Sequence, residues 1–226
     1  MEKIIKQSIY LSLFIQIVTT LISLNGFDIQ LQEKDYILYD ILKLEALVQL
    51  VEAVFYIWVI YALKDLKLMT PRRYMDWFIT TPTMLFTTII FMEYLRYEKN
   101  GQKQFTLSEF IEEDKEYIIK IVILNQCMLL FGYLGETGII NKEVSITVGF
   151  MFFFYNFYII YERYAKHTDL GIKLFIFLII IWSLYGVAAY MNIKIKNLMY
   201  NCLDIISKNF YGLYIYYYIY QKSLIY

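Results

Sequence analysis

The chain has 226 residues, of which 59% are apolar and only 19% carry a charge, and its mean hydropathy is +0.47. A soluble domain cannot bury that much hydrocarbon, so the composition excludes a soluble protein and indicates a membrane protein. Equal numbers of basic and acidic residues, 21 of each, give no net field to attract a nucleic acid, and one histidine with two cysteines leaves no Cys/His metal cluster and no Ser/His/Asp triad, so we expect no enzyme.

Seven apolar stretches are long enough to cross the roughly 30 Å of hydrocarbon in a bilayer, which takes about 20 helical residues. They lie near residues 4–24, 38–63, 73–95, 116–135, 143–162, 173–192 and 199–220. The connectors are short except for 96–115, so we predict one all-α domain over residues 1–226, a bundle of seven transmembrane helices. In the long connector, Thr106 and Glu109 form a capping-box pattern that predicts a helical turn before the fourth span.

Lysine and arginine are divided almost evenly between the connectors on the two sides of the predicted bundle. The small difference favours an external N-terminus and a cytoplasmic C-terminus. The first span follows Glu2 and Lys3 directly and has no A-x-A-like cleavage site, so we interpret it as a retained helix. Cys127 and Cys202 lie far apart in apolar runs, which favours small buried side chains over a disulfide.

The second span carries a stripe of polar residues. Glu45, Gln49, Glu52 and Tyr56 recur at intervals of four, three and four, which places them on one helix face about 60° wide. A carboxylate in the bilayer costs at least about 2.5 kcal/mol, so this stripe must face the bundle interior or water. The first span has a matching stripe of hydroxyl and amide side chains: Ser8, Ser12, Gln16, Thr19 and Ser23.

A third stripe in the seventh span consists of Asn197, Asn201, Asp204 and Lys208. Asp204 and Lys208 are four residues apart on one face, which allows two interpretations. They can form a buried ion pair, or the desolvated lysine amine can form a Schiff base with a carbonyl compound and then require carboxylate counterions. Three facing polar stripes predict a hydrated path for cations, although Ser and Thr stripes alone are also typical of helix packing.

The third span, in PRRYMDWFITTPTMLF, contains a carboxylate in a polar setting. Asp76, Arg73 and Thr80 share a face, so the Asp76 carboxylate is predicted to lie between a cation and a hydroxyl. Pro82 should leave one backbone carbonyl unpaired and bend the helix.

In the sixth span, WSLYG places Trp182 and Tyr185 three residues apart, where two rings can wall a flat apolar ligand or simply pack. Together with RYMDWFITTP in the third span and LDIISKNFYG in the seventh, this sequence resembles the retinal-binding signatures of microbial rhodopsins, in the same order on the same spans. The short termini and the abundance of Ile, Lys, Tyr and Asn are similar to rhodopsins encoded by giant viruses. That similarity implies a multi-pass protein of a host-cell membrane.

The resemblance implies all-trans retinal as the cofactor, bound to Lys208 as a Schiff base. It further implies that Asp76 is the primary counterion and proton acceptor, that Asp204 is the second counterion, and that Arg73 separates them from the external vestibule. The positions that match the pocket around the polyene are Trp77, Thr81, Met84, Met128, Gly132, Trp182, Tyr185 and Gly186. Gly186 stands where many relatives carry proline.

An outward proton pump needs an inner proton donor, but Thr87, eleven residues after Asp76, cannot act as one. Where many pumps carry a proton-releasing glutamate, this chain has Lys194, Lys196 and Asn197. Both absences weaken the pump interpretation.

Glu45 and Glu52, seven residues apart, and Asn209, directly after Lys208, are similar to the gate residues of channelrhodopsins. We therefore predict a light-gated cation channel in the lipid bilayer. Its central constriction, beside the Schiff base, would consist of Glu52, Asn209 and either Ser12 or a neighbour one turn away. A second closure is expected near Glu45 and Asn201 on the cytoplasmic side.

The residues expected along this path are Ser12, Gln16, Glu45, Gln49, Glu52, Asn201 and Asn209. Thr81 and Asn125 stand where such channels often pair a cysteine with an aspartate. An outward proton pump with Glu45 as donor is the alternative, and a sensory rhodopsin with a partner on the acidic connector is a third class. The transported species would be monovalent cations or protons, and a homo-oligomer is compatible with the sequence.

Overall fold

The seven predicted spans correspond to seven long helices in the computed structural model, which describes residues 2–62 and 66–224. They are α1 (Glu2–Asn25), α2 (Ile37–Ala62), α3 (Leu66–Lys99), α4 (Lys115–Glu136), α5 (Lys142–Arg163), α6 (Asp169–Tyr190) and α7, which consists of the consecutive segments Ile193–Asp204, Ile205–Phe210 and Tyr211–Ser223. No strand occurs in the described residues, so the all-α prediction is confirmed. Residue 63, the predicted end of the second span, lies outside the described ranges.

The helices α1 to α6 are each long and apolar enough to cross a bilayer. In hydrocarbon, a backbone must pair its own polar groups, which a helix does within one segment. The seventh helix carries the polar stripe of the last span and is divided by a π-helical turn. Because the helices alternate in direction, the bundle has an N-terminal end, near Glu2, and a C-terminal end, near Ser223.

Buried and exposed residues are distributed in the opposite way from a soluble protein. Phe14, Met75 and Met151 are between 64% and 67% exposed, whereas Glu45 and Arg73 are 0% exposed. An outer surface of large apolar side chains around a polar interior suits a bundle surrounded by lipid. The polar stripes therefore face inward, as expected from their charge.

A short helix, Leu107–Glu113, follows the predicted capping box in the long connector. The backbone N–H of Thr106 donates to Glu109 Oε2 over 2.7 Å, and the backbone N–H of Glu109 donates to Thr106 Oγ1 over 3.3 Å. The reciprocal bonds satisfy two donors that a helix start leaves unpaired. This prediction is confirmed.

The third helix continues from Leu66 to Lys99 through Pro82. Proline has no N–H, so the carbonyl of Phe78, four residues earlier, lacks its helical donor. Gln126 of α4 supplies the missing bond from Nε2 over 2.9 Å. The unpaired carbonyl predicted from the sequence thus becomes a link between α3 and α4.

Lys208 lies in the π-helical turn Ile205–Phe210. Hydrogen bonds in such a turn join residues five apart, so residues 204 and 208 do not stack as they would in an α-helix. The interpretation of Asp204 and Lys208 as an ion pair within one helix is wrong, because Lys208 pairs with Asp76 and Glu52 while Asp204 pairs with Arg73.

Both cysteines carry free thiols. Cys127 is partly buried, but Cys202 is exposed, so the expectation of a buried side chain is wrong there. Cys202 follows Asn201, whose side chain faces the interior, and the next position of a helix points about 100° away. The thiol consequently lies on the outer face of α7.

Candidate functional site

The centre of the site is a buried lysine between two carboxylates. Lys208 Nζ donates to Asp76 Oδ2 over 2.6 Å and lies 3.2 Å from Glu52 Oε1. All three residues are at most 4% exposed. Two anions beside one cation without solvent are costly for a purely structural pair, and such clusters are typical of functional sites. The sequence analysis predicts Asp76 as the counterion here and Glu52 in a gate beside Lys208, but it does not predict that Glu52 pairs directly with the lysine.

Asp204 lies on the side of this centre that faces the N-terminal end of the bundle. Its carboxylate accepts hydrogen bonds from Arg73 Nη1, Tyr56 and Tyr185, each over 2.8 Å. Arg73 also donates to the side-chain oxygen of Asn201. The charge of Asp204 is therefore balanced by Arg73, in direct contact, and not by Lys208.

Thr80 was expected beside the Asp76 carboxylate. Its hydroxyl is buried and donates over 3.0 Å to the backbone carbonyl of Asp76. A threonine hydroxyl that donates to the backbone carbonyl four residues earlier uses its proton within its own helix. The carboxylate of Asp76 is thus bonded to Lys208 and not to Thr80.

A cavity begins at Lys208 and runs between α3, α4, α5 and α6. All eight positions expected around a polyene line it: Trp77, Thr81, Met84, Met128, Gly132, Trp182, Tyr185 and Gly186. The walls are almost entirely apolar and aromatic, as in sites for apolar ligands.

Two glycines determine how closely the cavity wall packs. A Cβ added to Gly132 would lie 2.6 Å from the Tyr74 hydroxyl, and one added to Gly186 would collide with the Phe150 ring. Gly186 therefore allows α5 to pack against α6 through Phe150. A long apolar cavity that ends at a lysine amine fits retinal, whose aldehyde would reach that amine.

Thr81 and Asn125 meet beside the cavity and join α3 to α4. Asn125 Nδ2 donates to Thr81 Oγ1 over 2.8 Å, and the Thr81 hydroxyl donates to the carbonyl of Trp77 over 2.7 Å. Thr81 and Asn125, which stand where channelrhodopsins often pair a cysteine with an aspartate, thus form a neutral hydrogen bond here.

Polar side chains of α1, α2, α3 and α7 form one buried series, which we call the polar column. From the N-terminal to the C-terminal end of the bundle its members are Asn197, Asn201, Arg73, Asp204, Gln16, Glu52, Thr19, Asn209, Ser23, Gln49, Glu45 and Thr87. Gln16 Nε2 donates to Glu52 Oε2, and the Thr19 hydroxyl donates to Asn209 Oδ1. The first-helix partners of Glu52 and Asn209 are thus Gln16 and Thr19.

Ser12, the residue first expected at this constriction, lies one turn nearer the N-terminal end. Its hydroxyl donates to the backbone carbonyl of Asn201 over 3.3 Å. Gln16 is the neighbour one turn away that the prediction allowed. The sequence defines which face of α1 is polar. How far α1 is shifted along its axis relative to α7 depends on side-chain packing.

The expected closure that combines Glu45 with Asn201 is wrong. Glu45 accepts a hydrogen bond from Thr87, eleven residues beyond Asp76 in α3, while Asn201 contacts Arg73, three residues before Asp76. Because α2 and α7 run in opposite directions, residues that precede the centre lie towards opposite ends. Glu45 and Asn201 therefore flank Lys208 on its two sides.

Beyond Glu45, towards the C-terminal end of the bundle, four buried or partly buried rings pack together. This aromatic plug consists of Phe91, Tyr94, Tyr214 and Tyr218. The rings of Phe91 and Tyr218 meet edge to face, with centroids 5.0 Å apart. Tyr94 donates to Asp35 Oδ1 over 2.6 Å, which ties the plug to the connector between α1 and α2. The sequence analysis missed this cluster, since single tyrosines among 24 give no distinguishing pattern.

At the opposite end, Lys196 lies where many pumps carry a glutamate. Its Nζ is 2.7 Å from Glu136 Oε2, and both groups are largely buried. The bond connects the end of α4 to the start of α7 beside Tyr74 and Tyr200.

Comparisons with known proteins agree with this geometry. The family model described as bacteriorhodopsin-like protein matches residues 7–222. The crystal structure of viral rhodopsin OLPVRII has a TM-score of 0.82 and 29% identity, and the match covers 96% of this chain and 98% of that chain. No match is found among curated proteins.

Two more distant structures share the fold. Blue light-absorbing proteorhodopsin from Med12 is 21% identical, with a TM-score of 0.71 and 96% of each chain covered. The bromide-bound halorhodopsin from Halobacterium salinarum is 11% identical, with a TM-score of 0.73 and coverage of 96% of this chain and 93% of that chain. Since the family match spans almost every residue and a lysine stands at the end of the apolar cavity, the chain belongs to the bacteriorhodopsin-like family of microbial rhodopsins, membrane proteins that bind retinal, usually in the all-trans form.

Proposed function

We propose that this rhodopsin is a light-gated cation channel. The observation that carries the proposal is the polar column, which continues past Lys208 towards both ends of the bundle. A chain that only held a chromophore would need polar groups near Lys208 alone. Burying amides and carboxylates elsewhere in the membrane is expensive, and such groups usually mark ion pathways.

The C-terminal half of the column supports a pathway most directly. Glu45, Gln49 and Asn209 are each 0% exposed. Glu45 Oε2, Gln49 Nε2 and Asn209 Nδ2 have no hydrogen-bond partner in the described part of the chain. Gly212 makes room for the Gln49 amide, because a Cβ at that position would collide with it. These groups retain bonding capacity towards a hydrated ion.

In the closed state, two barriers lie in series along the column. The first is the pair of bonds Gln16–Glu52 and Thr19–Asn209, which join α1 to α2 and to α7. The second is the aromatic plug, where Phe91 and Tyr218 pack edge to face. Rings packed in this way exclude water, so a hydrated cation cannot cross.

Retinal bound to Lys208 supplies the absorption of light and the change of shape that follows. Asp76 Oδ2, 2.6 Å from Lys208 Nζ, is placed to accept the proton of that nitrogen. Loss of this charge removes the attraction that holds Glu52 at 3.2 Å. Glu52 is then free to leave Gln16, and the first barrier opens. The carboxylates of Glu45 and Glu52 favour cations over anions in the open path.

The test is a current–voltage series under light in cells that express the full chain with retinal. We expect a photocurrent that reverses sign and whose reversal potential follows the gradient of the permeant cation. Glu52→Gln should change the selectivity or amplitude, whereas Glu112→Gln, in the connector, should change neither. A photocurrent of constant sign at all voltages contradicts the proposal.

One contact supports a second candidate, an outward proton pump. Thr87 occupies the donor position of α3, and Glu45 accepts a hydrogen bond from its hydroxyl. A carboxyl group on α2 thereby reaches the place where the donor of α3 is missing. With the N-terminus outside, as the connector charges favour, Glu45 would return the proton to Lys208. In that case the photocurrent keeps one sign and Glu45→Gln slows its recovery, as loss of a general acid typically costs 100-fold or more.

A further inference from the structure

A second cavity lies on the outside of the bundle, between α6 and α7. Four residues of α6 line it with the spacing of one helix face, namely Leu170, Lys173, Leu174 and Phe177. Phe210, Tyr211 and Tyr214 of α7 form the other wall. We call this the α6–α7 groove. It runs about 10 Å along the helices, the rise of seven residues.

The groove is open to the surrounding lipid. Phe210 is 54% exposed, and neighbouring Ile176 is 48% exposed on the same helix as Lys173. Apart from Lys173 and the tyrosine hydroxyls, its walls are hydrocarbon. An apolar groove that faces a bilayer is suited to an acyl chain.

Lys173 adds a charge at the end of the groove nearest the membrane surface. It lies four residues after Asp169, where α6 begins, which is about 6 Å along the helix. A lysine at this depth extends its amine towards the headgroups. Lys173 is exposed and forms no ion pair with Asp169 or any other acidic side chain of the described ranges.

From the open apolar walls and the single cation at the rim, we propose that the α6–α7 groove binds one anionic phospholipid. One acyl chain lies against Leu174, Phe177 and Phe210, and the phosphate of the headgroup contacts Lys173. Net negative charge on the headgroup favours binding, because Lys173 has no acidic partner among the residues that the structure describes.

The position of the groove links this lipid to the chromophore lysine. Phe210 is the last residue of the π-helical turn that contains Lys208, and Tyr211 is the first residue after it. An acyl chain against these two residues supports the outer face of the turn. The site does not depend on whether the protein is a channel or a pump.

The experiment is native mass spectrometry of the purified, retinal-loaded protein with equal amounts of palmitoyl-oleoyl phosphatidylglycerol and phosphatidylcholine. We expect one phosphatidylglycerol to be retained per chain with about fivefold preference, the effect of one lysine at a membrane surface. Lys173→Gln should abolish this preference. Lys120→Gln removes an exposed lysine at a similar depth in α4, five residues after its start, and should leave the preference intact.

A second variant tests the apolar part of the site. Leu170→Trp fills the groove and should reduce the retention of both lipids while the visible absorption of bound retinal is unchanged. Equal retention of the two lipids by the unaltered protein overturns the proposal. So does a Lys173→Gln protein that keeps the preference, or a loss of preference in Lys120→Gln as large as in Lys173→Gln.

Discussion

Lys208 Nζ lies within 3.2 Å of carboxylate oxygens from two different helices. Arg73 pairs with a third carboxylate, that of Asp204, on the side of Lys208 nearer the N-terminal end of the bundle. The two cations and three carboxyl groups form two separate contact groups: Lys208 with Asp76 and Glu52, and Arg73 with Asp204. Removing one partner from a buried group leaves an uncompensated charge, so each position should have a distinct effect.

The first prediction concerns the attachment of retinal. Lys208→Ala should give a protein without visible absorption after retinal is added, because Lys208 carries the only side-chain amine among the described residues that line the cavity. Lys196→Ala is the matched control, since Lys196 is a largely buried lysine of the same helix. Absorption spectra of the two purified variants decide the matter, and an equally coloured Lys208→Ala protein rejects the assignment.

The second prediction concerns the two carboxylates beside Lys208. A nearby anion holds the positive charge at the Lys208 nitrogen and prevents it from spreading along the bound chromophore. Asp76→Asn and Glu52→Gln should therefore both shift the absorption maximum to longer wavelength. The shift should be larger for Asp76→Asn, because Coulomb attraction is stronger at 2.6 Å than at 3.2 Å. Asp35→Asn, in the connector beside Tyr94, should cause no shift.

At the scale of elements, two irregularities position the site. The π-helical turn of α7 separates the faces of Asp204 and Lys208, so that Asp204 pairs with Arg73 of α3 while Lys208 pairs with Asp76 of α3 and Glu52 of α2. Pro82 removes one hydrogen bond of α3, and Gln126 of α4 replaces it. Both features change helix contacts at the level of the cavity, where α3 and α7 carry the reactive groups.

The third prediction tests the link at Pro82. Gln126→Leu leaves the partly buried Phe78 carbonyl without a donor and should destabilise the protein by about 1–3 kcal/mol. Pro82→Ala restores an N–H within α3, so the cost of Gln126→Leu should be smaller in that background. Thermal loss of the retinal absorption band measures both effects. Equal costs in the two backgrounds would show that the bond to Phe78 is unimportant.

The fourth prediction concerns the short helix Leu107–Glu113. Hydrogen bonds from the backbone N–H and the hydroxyl of Thr106 lower the pKa of Glu109. A lowered pKa stabilises the folded helix above the ordinary pKa of glutamate, about 4.3, and this contribution is lost as the pH falls through the lowered value. Amide hydrogen exchange of residues 107–113 should accelerate there, relative to the rest of the chain. Glu109→Gln should remove the pH dependence, and Glu112→Gln should retain it.

At the scale of the whole molecule, the proposed channel would be closed by two barriers at different depths. Gln16 and Glu52 join α1 to α2 near Lys208, while the aromatic plug lies at the C-terminal end. An ion that passes one barrier is still held by the other. A variant that removes only one barrier should therefore show no added current in the dark.

The fifth prediction follows from this arrangement. Gln16→Ala and Phe91→Ala should each leave the dark current at the level of the unaltered protein, whereas the double variant should conduct cations without light. Whole-cell recordings in darkness provide the measurement. Phe154→Ala, on the exposed face of α5, is the control and should have no effect alone or combined with Gln16→Ala. A large dark current from Phe91→Ala alone would place the entire closure at the plug.

The seven helices, the inward faces of their polar stripes and the capping box were accessible from the printed residues, because they depend on composition, on the 3.6-residue period or on a local motif. The roles of Lys208 and Asp76 were implied by the resemblance to microbial rhodopsins and not by these local properties. The pairing of Glu52 with Lys208, the contact of Gln16 instead of Ser12, the separation of Glu45 from Asn201 and the α6–α7 groove were not accessible in this way. A helical period defines which face of a helix is polar, but the rotation and height of one helix against another result from side-chain packing between them. Charges that meet across helices therefore become visible only when the bundle is assembled.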